Sequence, residues 1–169
     1  MMTIDASPQP SSVDRIKQPN SRLCFACGLE NTYGLGLSFY EVGSGEIEVE
    51  YTVPEHFQGY PGVVHGGIVA AMLDEVLGRV VMIGDHSHFM VTARLEIRYR
   101  KSVPIGKPLR VHGWLTRRRG PLATAKAEIR LPDGSVAAEA KATLFDYPDQ
   151  EGAMEQLEEL GWKVYPDKP

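Results

Sequence analysis

PGVVHGGIVAAMLDEVLGRVVMIG, residues 61–84, is the stretch whose reading decides the fold. A glycine-punctuated loop runs into a segment predicted to be helical from Gly66 to about Ile83. Ile68, Val69, Met72, Leu73, Val76, Leu77, Val80 and Val81 cover nearly its whole circumference, the pattern of a helix buried on most sides. Asp74 and Glu75 interrupt it, and a carboxylate in such surroundings is costly unless something pairs with it or uses it. Glu75 has Arg79 at i,i+4, acid first, which predicts a favourable pair on an exposed stripe. Asp74 has Ala70, Ala71, Leu77 and Gly78 as its i±3 and i±4 neighbours. Those small residues leave room above its carboxylate for another helix or a ligand.

Outward from the helix, strand patterns lie on both sides. Leu35–Tyr40 and Glu46–Val53 flank the turn Val42–Gly45, and Ile47, Val49, Tyr51 and Val53 alternate with Glu46, Glu48, Glu50 and Thr52. After the helix come Met90–Lys101, Leu109–Arg117, Leu122–Leu131 and Val136–Tyr147, with Pro132-Asp-Gly-Ser135 a strong hairpin turn. Four consecutive strands on short turns imply antiparallel pairing. One apolar helix needs a sheet to cover it. The expected class is α+β, a curved antiparallel sheet wrapped around one long central helix. Residues 1–20, rich in Ser, Pro and Gln, read as a disordered arm. The domain spans 21–148, and 149–169 form an amphipathic C-terminal helix and a tail.

At 169 residues the chain fits one domain, with 43% hydrophobic and 24% charged residues. A net charge of −4 argues against a bulk electrostatic grip on nucleic acid or anionic membrane. No secretory pattern or transmembrane run is visible, so the cytoplasm is the expected location. The two cysteines, Cys24 and Cys27, form a CxxC. A structural zinc site needs four ligands, and no second Cys pair or HxxxH is present. The motif therefore reads as a small buried turn with free thiols, and no metal site is expected.

The segments Cys24-Phe-Ala-Cys-Gly28, Asn31, Gly34-Leu35, Gly62-Val-Val-His-Gly-Gly67, Leu73-Asp74-Glu75, Gly78, Thr92-Ala93, Leu95, Tyr99 and Pro104 resemble the hotdog-fold thioesterases, in particular the phenylacetate-pathway (PaaI-like) acyl-CoA thioesterases. The resemblance spans Cys24 to about Tyr147. Thr32 and Lys101-Ser-Val-Pro104 depart from that branch and do not touch the expected chemistry. The resemblance implies a hotdog fold, an acyl-CoA substrate, no cofactor beyond the CoA of the substrate, and a dimer with composite sites, with a dimer of dimers also open.

Thioester hydrolysis needs an oxyanion stabiliser and a means of activating water. Free N–H groups at a helix N-terminus suit the first role, and Gly66 and Gly67 let a carbonyl approach the backbone. Gly67 N–H is the expected donor. Asp74 is the expected general base, or a nucleophile forming a mixed anhydride. His65 stands before the helix, placed to orient the carbonyl or cap the loop. Gly67 and Asp74 lie roughly 10 Å apart along the helix axis. One carbonyl can hardly meet both, whereas an antiparallel helix from a second subunit would bring its Asp74 to this Gly67. Thr92 fits a position where related enzymes place a hydroxyl near the site. Strand parity puts it opposite Val91 and Leu95, so an irregularity at the strand start would be needed. Gln58 reads equally as a hydrogen-bonding partner or an ordinary loop amide. Arg117, Arg118 and Arg119, with Arg100 and Lys101, are candidates for the CoA phosphates, against the commoner reading of such a run as a solvated turn.

Two other readings remain open. His56-Phe57-Gln-Gly59 and Pro61-Gly-Val63 resemble the loop of hotdog hydroxyacyl dehydratases, but that family's acid would fall at Gly67. A non-catalytic acyl-CoA-binding protein would sooner lack Asp74.

Overall fold

The computed structural model describes residues 15–43 and 45–167. Most of the predicted arm, residues 1–14, lies outside the described residues. So does Ser44 of the first hairpin turn. The elements are β1 (Ile16–Lys17), β2 (Tyr40–Val42), β3 (Glu46–Thr52), a 3-10 turn (Glu55–Phe57), α1 (Gly66–Val80), β4 (Met90–Tyr99), β5 (Pro108–Arg119), β6 (Leu122–Arg130), β7 (Val136–Asp146) and α2 (Gln150–Glu159). The strands make one sheet in the order β1-β2-β3-β5-β6-β7-β4, antiparallel throughout. The α+β class and the curved sheet around a long helix hold.

Turn chemistry sets the hairpins. Between β6 and β7, Gly134 takes φ +81, and Asp133 accepts bonds from Ser135 N (2.9 Å) and Oγ (2.6 Å). The chain does not place its last four strands in sequence order. β4 lies beyond β7 at the sheet edge, so the two-proline segment 102–108 crosses between non-neighbouring strands.

One face of α1 (Val69, Met72, Leu73, Val76, Leu77, Val80) is buried against the sheet. Each such side chain contributes about 1.5–3 kcal/mol relative to exposure. The sheet meets it with small residues: Ala123, Ala125 and Ala127 on β6, and Ala138, Ala140 and Ala142 on β7, are all buried. Closest of all is Gly113 on β5, where a Cβ would stand 2.5 Å from Val76 Cγ1 and 3.1 Å from Val80 Cγ2. Gly113→Ala is expected to cost about 1–3 kcal/mol by overpacking, read as a lower urea midpoint. An unchanged midpoint would show that the helix can lift off the sheet freely.

Several expectations are corrected. Residues 16–20 are part of the domain: β1 pairs with β2, and Gln18 and Asn20 are fully buried. Gln18 donates to Glu41 Oε1 and Arg79 O, and Asn20 Nδ2 donates to Cys27 O and Leu37 O. Residues 35–39 are not a strand, because their backbone bonds run to residues 18–26 (Gln18 N→Phe39 O, Leu37 N→Ala26 O, Leu35 N→Phe25 O). The helix stops at Val80, where the bonds tighten to Met82 N→Arg79 O and Ile83 N→Val80 O before Gly84 at φ +78. The Glu75–Arg79 pair is not on the surface. Arg79 is 2% exposed, donates to Glu75 Oε1 (3.0 Å) and Pro19 O (2.6 Å), and lies over the Phe39 and Trp162 rings. Trp162 lies in the tail beyond α2; it also stacks edge-on against Phe89, and the tail pairs at Lys163 with Asn20.

Candidate active site

The site is built on the face of α1 turned away from the sheet. Here Gly66 and Gly67 are exposed, and Ala70, Ala71, Asp74 and Gly78 are half-buried. A Cβ at Gly78 would meet nothing. This stripe is the small-residue patch read from the sequence.

Asp74 is oriented from the sheet. Thr92 Oγ1 donates to Asp74 Oδ1 at 2.8 Å. The pairing of β4 with β7 runs Thr92↔Leu144 and then Arg94↔Thr143, a register break at Ala93. That bulge supplies the irregularity that strand parity demanded and re-aims the Thr92 hydroxyl at the helix. Thr92→Val keeps the β-branched shape and removes the donor. If Asp74 acts in catalysis, turnover falls about ten- to hundredfold, in line with the roughly 1.5–3 kcal/mol of a hydrogen bond to a charged group. Unchanged kinetics would make the contact incidental.

His65 is the N-cap of α1. Its Nδ1 accepts from Gly67 N at 2.9 Å, so the imidazole is neutral with its proton on Nε2. The N–H expected to be free is therefore occupied by the cap. Among the described residues Gly66 N has no hydrogen-bond partner, which makes it the open donor at this helix end. Tyr99, which sequence reasoning passed over, donates its hydroxyl to Gly66 O at 2.9 Å and packs on that glycine. The loop before the helix is held by Gly59 N→Val63 O, His65 N→Phe57 O and Val64 N→Val103 O. Gln58 belongs to this scaffold, since its Oε1 accepts from Gly62 N at 3.2 Å.

The helix N-terminus and Asp74 open into different cavities. A cavity of about 740 Å³ is lined by Tyr60, His65, Gly66, Tyr99, Arg100 and Lys101, among others. Another, of about 340 Å³, is lined by Asp74, Thr92, Gly78, Met82, Phe89 and Trp162 together with Cys24, Cys27 and Glu75. A single chain thus brings Asp74 to Thr92, and His65 to Gly66 and Gly67, but keeps the two groups apart. Of the basic candidates, Arg100 and Lys101 face the larger cavity. Arg118 is tied at the far end of β5 to His88 Nε2 (2.8 Å) and Asp146 (3.4 Å). Arg117 and Arg118 line neither cavity.

The CxxC forms one tight turn, closed by Gly28 N→Cys24 O. Both thiols are free. Cys27 N donates to Cys24 Sγ at 3.3 Å. The Cys27 thiol is pulled down to about 6, chiefly by its hydrogen bond with Cys24 and further by Arg79; that same bond and burial push the Cys24 thiol up.

Residues 61–138 match the model of the thioesterase superfamily. The chain is 37% identical over 92 residues to the 3-hydroxyacyl-[acyl-carrier-protein] dehydratase FabZ of Bacillus pumilus (52% of this chain, 62% of that protein). It is 35% identical over 75 residues to the acyl-coenzyme A thioesterase THEM4 of Rattus norvegicus (43% and 31%). It thus covers less than two thirds of the length of either relative. Among solved structures, the thioesterase superfamily protein RHA08564 superposes with a TM-score of 0.68 at 32% identity, over 73% of this chain and 63% of that one. The protein smu.793 of Streptococcus mutans, solved with acetyl CoA bound, superposes with a TM-score of 0.59 at 22% identity, over 66% and 88%, and shares the fold. No helix among the described residues is long and apolar enough to cross a membrane. The chain has the hotdog fold, and its segment 61–138 matches the thioesterase superfamily.

Proposed function

We propose that the chain hydrolyses an acyl-CoA thioester to the free acid and CoA, in a homodimer whose two active sites each draw on both subunits. The observation that carries this reading is Asp74, a carboxylate held by Thr92 across a strand irregularity and facing open space. Similarity to an acyl-coenzyme A thioesterase and to a fold solved with acetyl CoA supports the substrate class.

The thioester carbonyl sits at the N-terminus of α1. Its developing oxyanion takes the Gly66 N–H, aided by the helix dipole, while His65 holds the first turn in shape. Asp74 of the other subunit removes a proton from water as it attacks the carbonyl carbon, or attacks that carbon itself. The C–S bond breaks and CoA leaves as its thiol, taking the proton that Asp74 removed from water; on the nucleophilic route the thiol takes its proton from solvent and water then cleaves the acyl–Asp74 anhydride to free the acid and restore Asp74. Gly66 and Asp74 are about 12 Å apart along one helix, which is why two helices are needed. The free edge and exposed faces of β4, with Val91 44% and Tyr99 54% exposed, suit a second copy as partner. Arg100 and Lys101, at the mouth of the larger cavity, are better placed for the CoA phosphates than Arg117 or Arg118.

Similarity to the dehydratase FabZ favours a second reading on the same fold. It lacks an acid at Gly67, and His56 stacks on Phe57 and lines neither cavity. A panel of acyl-CoA substrates, with a thiol-trapping dye, separates the two. CoA release supports hydrolysis. Loss of enoyl-thioester absorbance without CoA release would establish the dehydratase, and no reaction on any chain length would leave a binding protein.

A further inference from the structure

We propose that Cys24, Cys27 and Glu75 form a binding site for a thiophilic divalent cation of the zinc class. This inference does not rest on the thioesterase reading.

The two Sγ atoms and a Glu75 carboxylate oxygen all lie within 4.8 Å of one another. Tetrahedral zinc with sulfurs at about 2.3 Å sets its ligands about 3.8 Å apart, so small side-chain movements close the site. The sequence hides this set, because Glu75 arrives from the middle of α1 to meet a turn near the start of the domain. All three residues line the 340 Å³ cavity, which gives a cation a route in. Their backbone is fixed: Gly28 N→Cys24 O closes the turn, and Asn20 Nδ2 holds Cys27 O at 2.7 Å.

Charge supports the assignment. Once a cation has displaced both thiol protons, two thiolates and one carboxylate face the Arg79 guanidinium, which is buried 3.0 Å from Glu75 Oε1. A divalent cation cancels the remainder. Glu75 has a second oxygen to offer without leaving Arg79. Binding displaces the thiol protons to solvent, and the fourth coordination position faces the cavity that Asp74 shares.

Reduced protein titrated with Cd²⁺ is expected to develop the ultraviolet thiolate-to-cadmium charge-transfer band, saturating at one equivalent. Proton release and protection of both thiols from a thiol reagent should accompany it, and Zn²⁺ should compete while Mg²⁺ does not. Cys24→Ser, at the half-buried cysteine, abolishes the band. Glu75→Gln keeps the sulfurs and weakens binding by at least the roughly 10–100-fold that loss of a supporting residue costs a metal site. Circular dichroism melts confirm that each variant is folded. Absence of a saturable band in folded wild type overturns the site. So does an unaltered affinity in Glu75→Gln, which would reduce it to a bare thiol pair. Formation of a Cys24–Cys27 disulfide under a small disulfide reagent, in protein that takes up no cadmium when reduced, also overturns it.

Discussion

Asp74→Asn is expected to lower acyl-CoA turnover by about 10²–10⁴ with almost no change in stability. The amide oxygen of Asn can still accept from Thr92 Oγ1, so the side chain keeps its place. What is lost is the capacity to take a proton or to attack. Because residue 74 is half-buried on the face away from the sheet, the substitution disturbs no core packing. Single-turnover hydrolysis by the wild type in heavy-oxygen water then tests the nucleophilic role of Asp74: label in the protein means a mixed anhydride forms and opens at the Asp74 carbonyl, whereas label in the released acid alone means water attacks the acyl carbon. Full turnover by the variant would refute the assigned chemistry.

Gly66→Pro is expected to lower turnover by about 10²–10³, the cost of removing one oxyanion donor, again in a folded protein. Proline is welcome at the first position of a helix, where its missing N–H breaks no helical bond. The preceding residue must then be extended, and His65 already is, at φ −57 and ψ 135. A Cβ at position 66 meets the Tyr99 ring at 3.7 Å, an ordinary contact. Mixing this variant with Asp74→Asn tests the shared site. If subunits exchange at random, half the dimers are mixed and carry one intact site of two, so activity recovers to about a quarter of wild type. No recovery after exchange is confirmed would place both groups in one chain.

Where local pattern and local chemistry decide the outcome, the sequence alone suffices. The apolar circumference of α1 announces a central helix, the alternation in β3 and β6 announces half-buried strands, and Pro132–Ser135 announces a hairpin. Asp74 stands out because it is a charge without a local partner. What escapes is set by contacts between distant segments. The last four strands have turns that suggest sequential pairing, yet β4 pairs with β7, a partner far along the chain that no local turn announces. Arg79 has an i,i+4 acid like any surface cation, but Phe39, Trp162 and Pro19 close over it from three parts of the chain. Thr92 reads onto the wrong face until the bulge at Ala93 turns it. The open N–H belongs to Gly66 and not to Gly67, because the imidazole just before the helix caps Gly67 N, a matter of rotamer that residue order does not reveal.

The placement of β4 also bears on how the molecule reaches its native state. Met90 pairs with Asp146 and Tyr99 with Ala138, so this strand's partner lies beyond β5 and β6 along the chain. Pairings of such long range are slow, because a large loop must be ordered before any contact rewards it. The helix and the β5–β6–β7 meander can assemble first from nearer contacts, leaving Thr92 undocked. The orientation of the carboxylate therefore depends on a long-range closure of the sheet and not on the helix that carries it, so chemical competence requires β4 to be docked.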